Sequence, residues 1–339
     1  IMDIKKTFIN FFLLLFFSTI VFYLLSKQLI YPTIIPMIKN GVISLFADWS
    51  AIISANICDG KGLDVYSNNP CDPWNRKHVY GKVLLYFPYI ENFPKFYFIY
   101  LPIILNLVFL YTVLSFFTFE NKNEYLFLFL FILNAPVILA IERANIDIAI
   151  FLLVVALSKN KNLIINHLIL IFATIVKFYP ISLGIIFLFK KKFKIIATNL
   201  LIFLITISMI LFLQWDDIIK IYNNQRQFSG SGIYEFSFIG GLNYIQNLNI
   251  YFNNKNYNFI KYSYIFLTLI IPIFITIYLN KKFFLSAGSI SDLLLKNNFE
   301  NRLYILNSAM ILLCYFSFSN FFYREIFFLG LIPWILKNR

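Results

Sequence analysis

Residues 195–213 read IIATNLLIFLITISMILFL, without one charged side chain. A helix rises about 1.5 Å per residue, so such a run reaches across most of a bilayer's hydrocarbon core, roughly 30 Å thick. Other apolar runs flank it, at roughly 95–118, 125–141, 145–158, 163–177, 180–189, 260–280, 303–318 and 322–336. A first run at 7–25 follows Lys5 and Lys6. It lacks a small-residue cleavage site after a short apolar core, so it reads as a retained helix and not as a signal peptide. The count is about ten spans. The expected fold class is all-α, a polytopic membrane helix bundle forming a single domain over residues 1–339.

Composition points the same way. Of 339 residues, 60% are hydrophobic and 13% charged. That charged share is about half of what a soluble globular domain carries. A soluble enzyme, a disordered chain and a disulfide-rich secreted module are excluded. The 29 Lys and Arg against 16 Asp and Glu leave +13. The basic residues sit in short clusters between apolar runs, where they set topology and meet anionic headgroups, so no nucleic-acid partner is implied.

Orientation follows from those clusters. A cytoplasmic N-terminus places inside Lys5/Lys6, Lys122, Lys159/Lys161, Lys190/Lys191/Lys192/Lys194, Lys281/Lys282, Lys296/Arg302 and Lys337/Arg339. The C-terminus is then cytoplasmic too. This parity requires 125–158 and 163–189 to be hairpins, although both are short; their members read as half-helices or as segments meeting inside the bilayer. Two long polar stretches, 26–94 and 214–259, fall together on the outer side as the first and second extracytoplasmic loops.

Asp48 opens the polar part of the first loop, after the apolar stretch Gly41 to Ala47. A carboxylate at the membrane surface suits the deprotonation of an acceptor hydroxyl; a helix cap or solvated loop charge is the plainer reading. Aromatic and turn residues crowd the stretch from Gly62 to Tyr89. They suit sugar rings and an interfacial belt equally. His78 reads as a loop residue or a site group, and His167 as structural. Cys58 and Cys71 share the loop, and an oxidising compartment would bridge them. No Cys/His spacing forms a zinc site. Three interruptions of apolar runs carry charge: Glu142-Arg143-Ala144-Asn145-Ile146-Asp147, Lys177-Phe178-Tyr179-Pro180 and Tyr323-Arg324-Glu325. Ionisable groups at such depth face a cavity or one another. Arg143, Lys177 and Arg324 would together make an anion site for a lipid phosphate. The competing reading is local neutralisation, Glu142 by Arg143 and Arg324 by Glu325.

In order, the early Asp, Gly-x-x-Val-Tyr, Asn134-Ala135-Pro136, Glu142-Arg143-Ala144-Asn145-Ile146-Asp147 and Lys177-Phe178-Tyr179-Pro180 resemble a known pattern. The chain looks like the GT-C superfamily of polyprenyl-phosphate-sugar-dependent glycosyltransferases, and is most similar to glycosyltransferase family 87, of alpha-mannosyltransferase type. The resemblance covers about residues 7–215. The family usually has glycine where this chain has Ala144. The resemblance implies a bacterial inner-membrane enzyme with an extracytoplasmic active site. It would move a hexose, mannose-like, from a polyprenyl-phosphate sugar to a lipid-linked or surface glycan, with inversion. Asp48 maps to the general base, with Asp64 as the second choice. Arg143 and Lys177 map to the carrier phosphate, and Arg324, His78, Asn145 and Tyr179 join the candidate set. No cofactor is required; a divalent cation is compatible but not indicated. Two other classes compete. A surface-polysaccharide polymerase or ligase would share the lipid-linked substrates. A transporter or flippase would normally show paired halves, which this sequence lacks.

Overall fold

The computed structural model describes residues 9–10, 12–20, 46–87, 89, 92–117, 119, 122–189, 193–228, 242, 257–270, 298–316 and 322–337. All regular structure in them is helical. The basic pairs Lys5/Lys6 and Lys281/Lys282, together with Lys190, Lys191, Lys192, Lys296 and Arg339, lie outside the described residues, as does most of 229–256.

The helices are α1 Ala47–Gly60, α2 Leu101–Leu114, α3 Lys122–Ile132, α4 Ala135–Arg143, α5 Ile146–Lys159 and α6 Leu163–Val176. After them come α7 Phe193–Leu213, α8 Trp215–Phe228, α9 Tyr257–Ile265, α10 Phe299–Phe316 and α11 Ile332–Lys337. Two 3₁₀ segments, Tyr179–Phe189 and Phe322–Leu331, complete the inner layer.

Among the described residues, two helical segments are long and apolar enough to cross a membrane: Phe96–Leu114 and Phe193–Leu213. The run at 125–141 is a broken segment, in which Glu124–Ile132 and Ala135–Arg143 meet at 53°. Asn134 is extended there, and Pro136 begins the next helix, where its missing N–H costs nothing. Counted as one span, that pair makes three. The runs at 145–158, 163–177 and 180–189 form shorter helices than a full crossing needs, and the 7–25 and 260–280 runs are only partly described. The described residues thus form an all-helical structure with two or three candidate spans, fewer than the ten or so that the apolar runs predict. Short runs of apolar sequence fix burial, not helix length.

Helix α5 is the axis. Ile148, Ile150, Phe151, Val154 and Leu157 are all fully buried along it. Asn145 caps its start by accepting from Asp147 N at 2.9 Å. Arg302 closes its end, donating to Leu157 O at 2.7 Å and Asn160 O at 2.6 Å, carbonyls that no helical N–H reaches. Helix α10 packs on α5 and on both 3₁₀ segments. Helix α7 lies at the periphery with Phe193 81% and Phe212 80% exposed. Apolar exposure of that extent along a helix suits a lipid surface and not water.

Candidate functional site

Two non-glycine residues in left-handed backbone flank the site. Phe46, at φ 61, precedes α1 and donates its N–H to Glu142 O at 2.9 Å. This sews the start of α1 to the end of α4. Ala144, at φ 44, ends α4. Its N–H reaches Ile141 O at 3.1 Å, and that of Asn145 reaches Ala140 O at 3.0 Å. These two bonds make a Schellman stop, which puts its C′ residue in left-handed backbone and therefore favours glycine. Ala144 therefore sits in a backbone conformation that glycine would adopt without strain.

That stop aims Asn145 two ways. Its Oδ1 caps α5, and its Nδ2 donates to Asp48 Oδ2 at 2.6 Å. The other Asp48 oxygen faces Arg143 Nη1 at 3.1 Å and Arg76 Nη1 at 3.6 Å. Arg143 approaches Glu142 only at 4.0 Å. The charge nearer in sequence is the looser partner, so Arg143 serves Asp48 first.

One helical step further, Asp147 is fully buried. Lys177 Nζ and Tyr179 OH both donate to its Oδ1 at 2.5 Å, and Arg324 Nε stands 3.5 Å from its Oδ2. Lys177 also lies 5.2 Å from the Tyr80 ring centre, and Arg324 lies 4.7 Å from that of Tyr179. The Tyr80 side is anchored by Gly81, whose N–H bonds Val176 O at 3.0 Å. A side chain on Gly81 would place Cβ 1.6 Å from Ile175 O, so only glycine permits this approach.

The structure therefore brings Asp48, Arg143, Asn145, Lys177, Tyr179 and Arg324 into one neighbourhood. Asp64 is elsewhere. It is exposed, pairs with Lys220 at 2.9 Å and accepts from Ser67 at 2.8 Å. The Lys220 hydrogen bond holds the Asp64 carboxyl below its usual value. His78 is buried edge-on between the rings of Tyr66 (5.2 Å) and Tyr80 (5.7 Å), one ring behind Lys177. Burial pushes its imidazole down to about 4. Cys58 and Cys71 are bridged. His167 contacts Asn199 at 2.9 Å and packs on Phe187, a helix–helix contact. Among the described residues, no group of three His, Cys, Asp or Glu side chains could hold a metal ion.

Sequence reasoning missed three members. Asp147 lay inside the quoted motif but was not given a role, although it gathers two cations and a phenol. Asp72 and Arg76 were also passed over: they pair across a non-helical turn, where no spacing rule marks the pair.

Beside the charges lies an apolar cavity of about 310 Å³ between α1, α2, α5 and α6. Trp49, Ile146 and Val176 line it, each next in sequence to a charged member of the site: Asp48, Asp147 and Lys177. Its other side is walled by Ile104, Val108 and Phe172, which are 49%, 47% and 48% exposed. The cavity thus opens sideways between α2 and α6. The one polar atom of Trp49, its indole N–H, is already spent on Tyr97 O at 2.8 Å. No protein-family model, no curated protein and no solved structure matches the chain.

Proposed function

We propose that the chain is an integral-membrane glycosyltransferase. It moves a hexose from a polyprenyl-phosphate sugar to a lipid-linked or surface glycan acceptor at the extracytoplasmic face of a bacterial inner membrane. The observation that carries this reading is the pairing of a carboxylate-and-cation cluster with an apolar cavity that opens sideways. An amphipathic donor needs both parts: fixed cations for a phosphate and an apolar slot for its chain. The reading retains the polytopic bundle of about ten spans, both termini cytoplasmic, and the two polar loops outside.

In the reaction, the acceptor oxygen attacks the anomeric carbon as the bond from that carbon to the phosphate oxygen breaks. The bonding pair leaves with the phosphate. The acceptor proton goes to Asp48, since the hydroxyl is far too weak an acid to lose it unaided. Direct displacement inverts the carbon, and the products are a glycoside and polyprenyl phosphate. The donor phosphodiester gains one negative charge as it becomes a monoester.

The cluster suits that change. Asp48, Asp72, Glu142 and Asp147 face Arg76, Arg143, Lys177 and Arg324, four charges of each sign. Protonating Asp48 leaves the set at +1 at the moment the leaving group gains its charge. Arg143, released from a carboxylate that has become neutral, is the cation nearest to hand. Preorganised charge of this kind acts without reorganisation cost. Asp147 plays no part in the proton transfer; it holds Lys177, Tyr179 and Arg324 in place.

The test compares wild-type protein with Asp48→Asn in sugar transfer. The wild type transfers, and the variant folds, inserts and is silent. Transfer by Asp48→Asn at the wild-type rate removes Asp48 as the base.

A further inference from the structure

The loop that carries the disulfide also reaches the proposed base. Cys71 is bonded to Cys58, near the C-terminal end of α1. The next residue, Asp72, is almost fully buried and folds the loop around its carboxylate. It accepts from Trp74 N at 3.2 Å and Arg76 N at 3.0 Å. It then takes the Arg76 guanidinium as a fork, Nε to Oδ2 at 3.0 Å and Nη2 to Oδ1 at 2.7 Å. Trp74 lies under that guanidinium at 4.6 Å. So fixed, Arg76 donates from Nη2 to Ala47 O at 2.8 Å and holds Nη1 3.6 Å from Asp48 Oδ1. Helix α1 is therefore gripped at both ends by one short loop, by a disulfide at one end and by Arg76 at the other.

We propose that Arg76 is a positioning residue for Asp48. It seats the N-terminal turn of α1 and keeps the carboxylate turned toward the acceptor while Arg143 serves the phosphate. This rests on the reading of Asp48 as the base. Two features separate Arg76 from Arg143. Its strongest partner is Asp72, so it stays anchored when Asp48 becomes neutral. Its Nη1 is also beyond hydrogen-bond range of Asp48, so it acts through charge and through Ala47, and not by occupying an oxygen that the proton needs. Arg76 is absent from the lining of the apolar cavity.

The experiment uses full-length protein in nanodiscs, with Arg76→Gln, Arg76→Lys, Asp48→Asn and the Arg76→Gln/Asp48→Asn double variant. Sugar transfer and thermal midpoint are both measured. Expected is a fall in kcat of about tenfold or more for Arg76→Gln with donor KM within about twofold, since the phosphate cations are untouched. Arg76→Lys recovers part of kcat but not all of it, because it keeps the charge and loses the fork. In the thermal scans, Arg76→Gln costs less in the Asp48→Asn background than in the wild type. An unchanged kcat for Arg76→Gln, or an equal thermal loss in both backgrounds, overturns the proposal and leaves Arg76 as a loop-closing residue. If the wild type transfers no sugar, the transferase reading falls by itself. The thermal coupling then decides alone whether Arg76 seats Asp48.

Discussion

His78 offers a prediction that separates a phosphate-binding cation from a buried neutral ring. Its imidazole is held between Tyr66 and Tyr80, with Nε2 buried and without a partner among the described residues. Burial drives it down to about 4 from the ordinary 6.5, and a backbone hydrogen bond with Gly81 works the other way. The unfolded chain therefore takes up a proton at this residue before the folded one does. The sign follows: the folded protein has its full stability above pH 6.5 and loses part of it as the pH falls from 6.5 toward 4. At pH 4.5 the loss from this one group is roughly 2–3 kcal/mol. For a chain of this size that is a fall in midpoint of roughly 3–4 °C. The assay is thermal unfolding in nanodiscs at pH 7 and pH 4.5, for the wild type and His78→Gln. The variant starts lower, because the ring packing is gone, but it loses about 3–4 °C less on acidification. An equal acid loss in both proteins would refute the argument, as would a direct NMR titration of His78 near 6.5. At pH 7 the expected state is neutral, so His78 backs Tyr80 and adds no cation to the proposed phosphate site.

Three further substitutions follow from the geometry. Ala144→Gly removes the left-handed penalty of about 1–2 kcal/mol for an L-residue and returns part of it as unfolded-state entropy, so a gain of about 0.5–1 kcal/mol is expected in the thermal midpoint. Gly81→Ala forces Cβ against the Ile175 carbonyl, at a cost of about 3 kcal/mol or more, and pushes Tyr80 away from Lys177; a midpoint unchanged from the wild type would contradict it. Asp147→Asn leaves Lys177 and Arg324 without their shared buried counter-charge, with an expected destabilisation of about 3–5 kcal/mol; loss of transfer with unchanged stability would instead make Asp147 a direct participant.

Much of the site could be read in the chain because its members interrupt apolar runs. Arg143, Asn145, Lys177, Tyr179 and Arg324 stand out for that reason, and a charge within an apolar run needs a partner. Which partner could not be read. Glu142 beside Arg143 is the obvious choice in sequence, yet Asp48, far away along the chain, is the closer one in space. Asp147 escaped notice because it follows a helix-capping Asn and passes for an ordinary first-turn acid. The apolar runs located the inner helices well but not their lengths. Pro136 breaks one run into two bent halves, and Tyr179–Phe189 winds as a 3₁₀ segment, which hydropathy alone does not distinguish from an α-helix. The Cys58–Cys71 bridge was legible from two cysteines in one polar loop, but its second task, bracing the loop that bears Arg76, needed coordinates.

The most direct test of the account is transfer of labelled sugar by the purified protein in nanodiscs, from a panel of polyprenyl-phosphate sugars, with membrane glycolipid extract as acceptor. The account predicts transfer from one carrier, release of one polyprenyl phosphate for each sugar moved, and inversion at the anomeric carbon. Silence toward every carrier, with neither transfer nor hydrolysis while the protein is folded and acceptor is supplied, would contradict it.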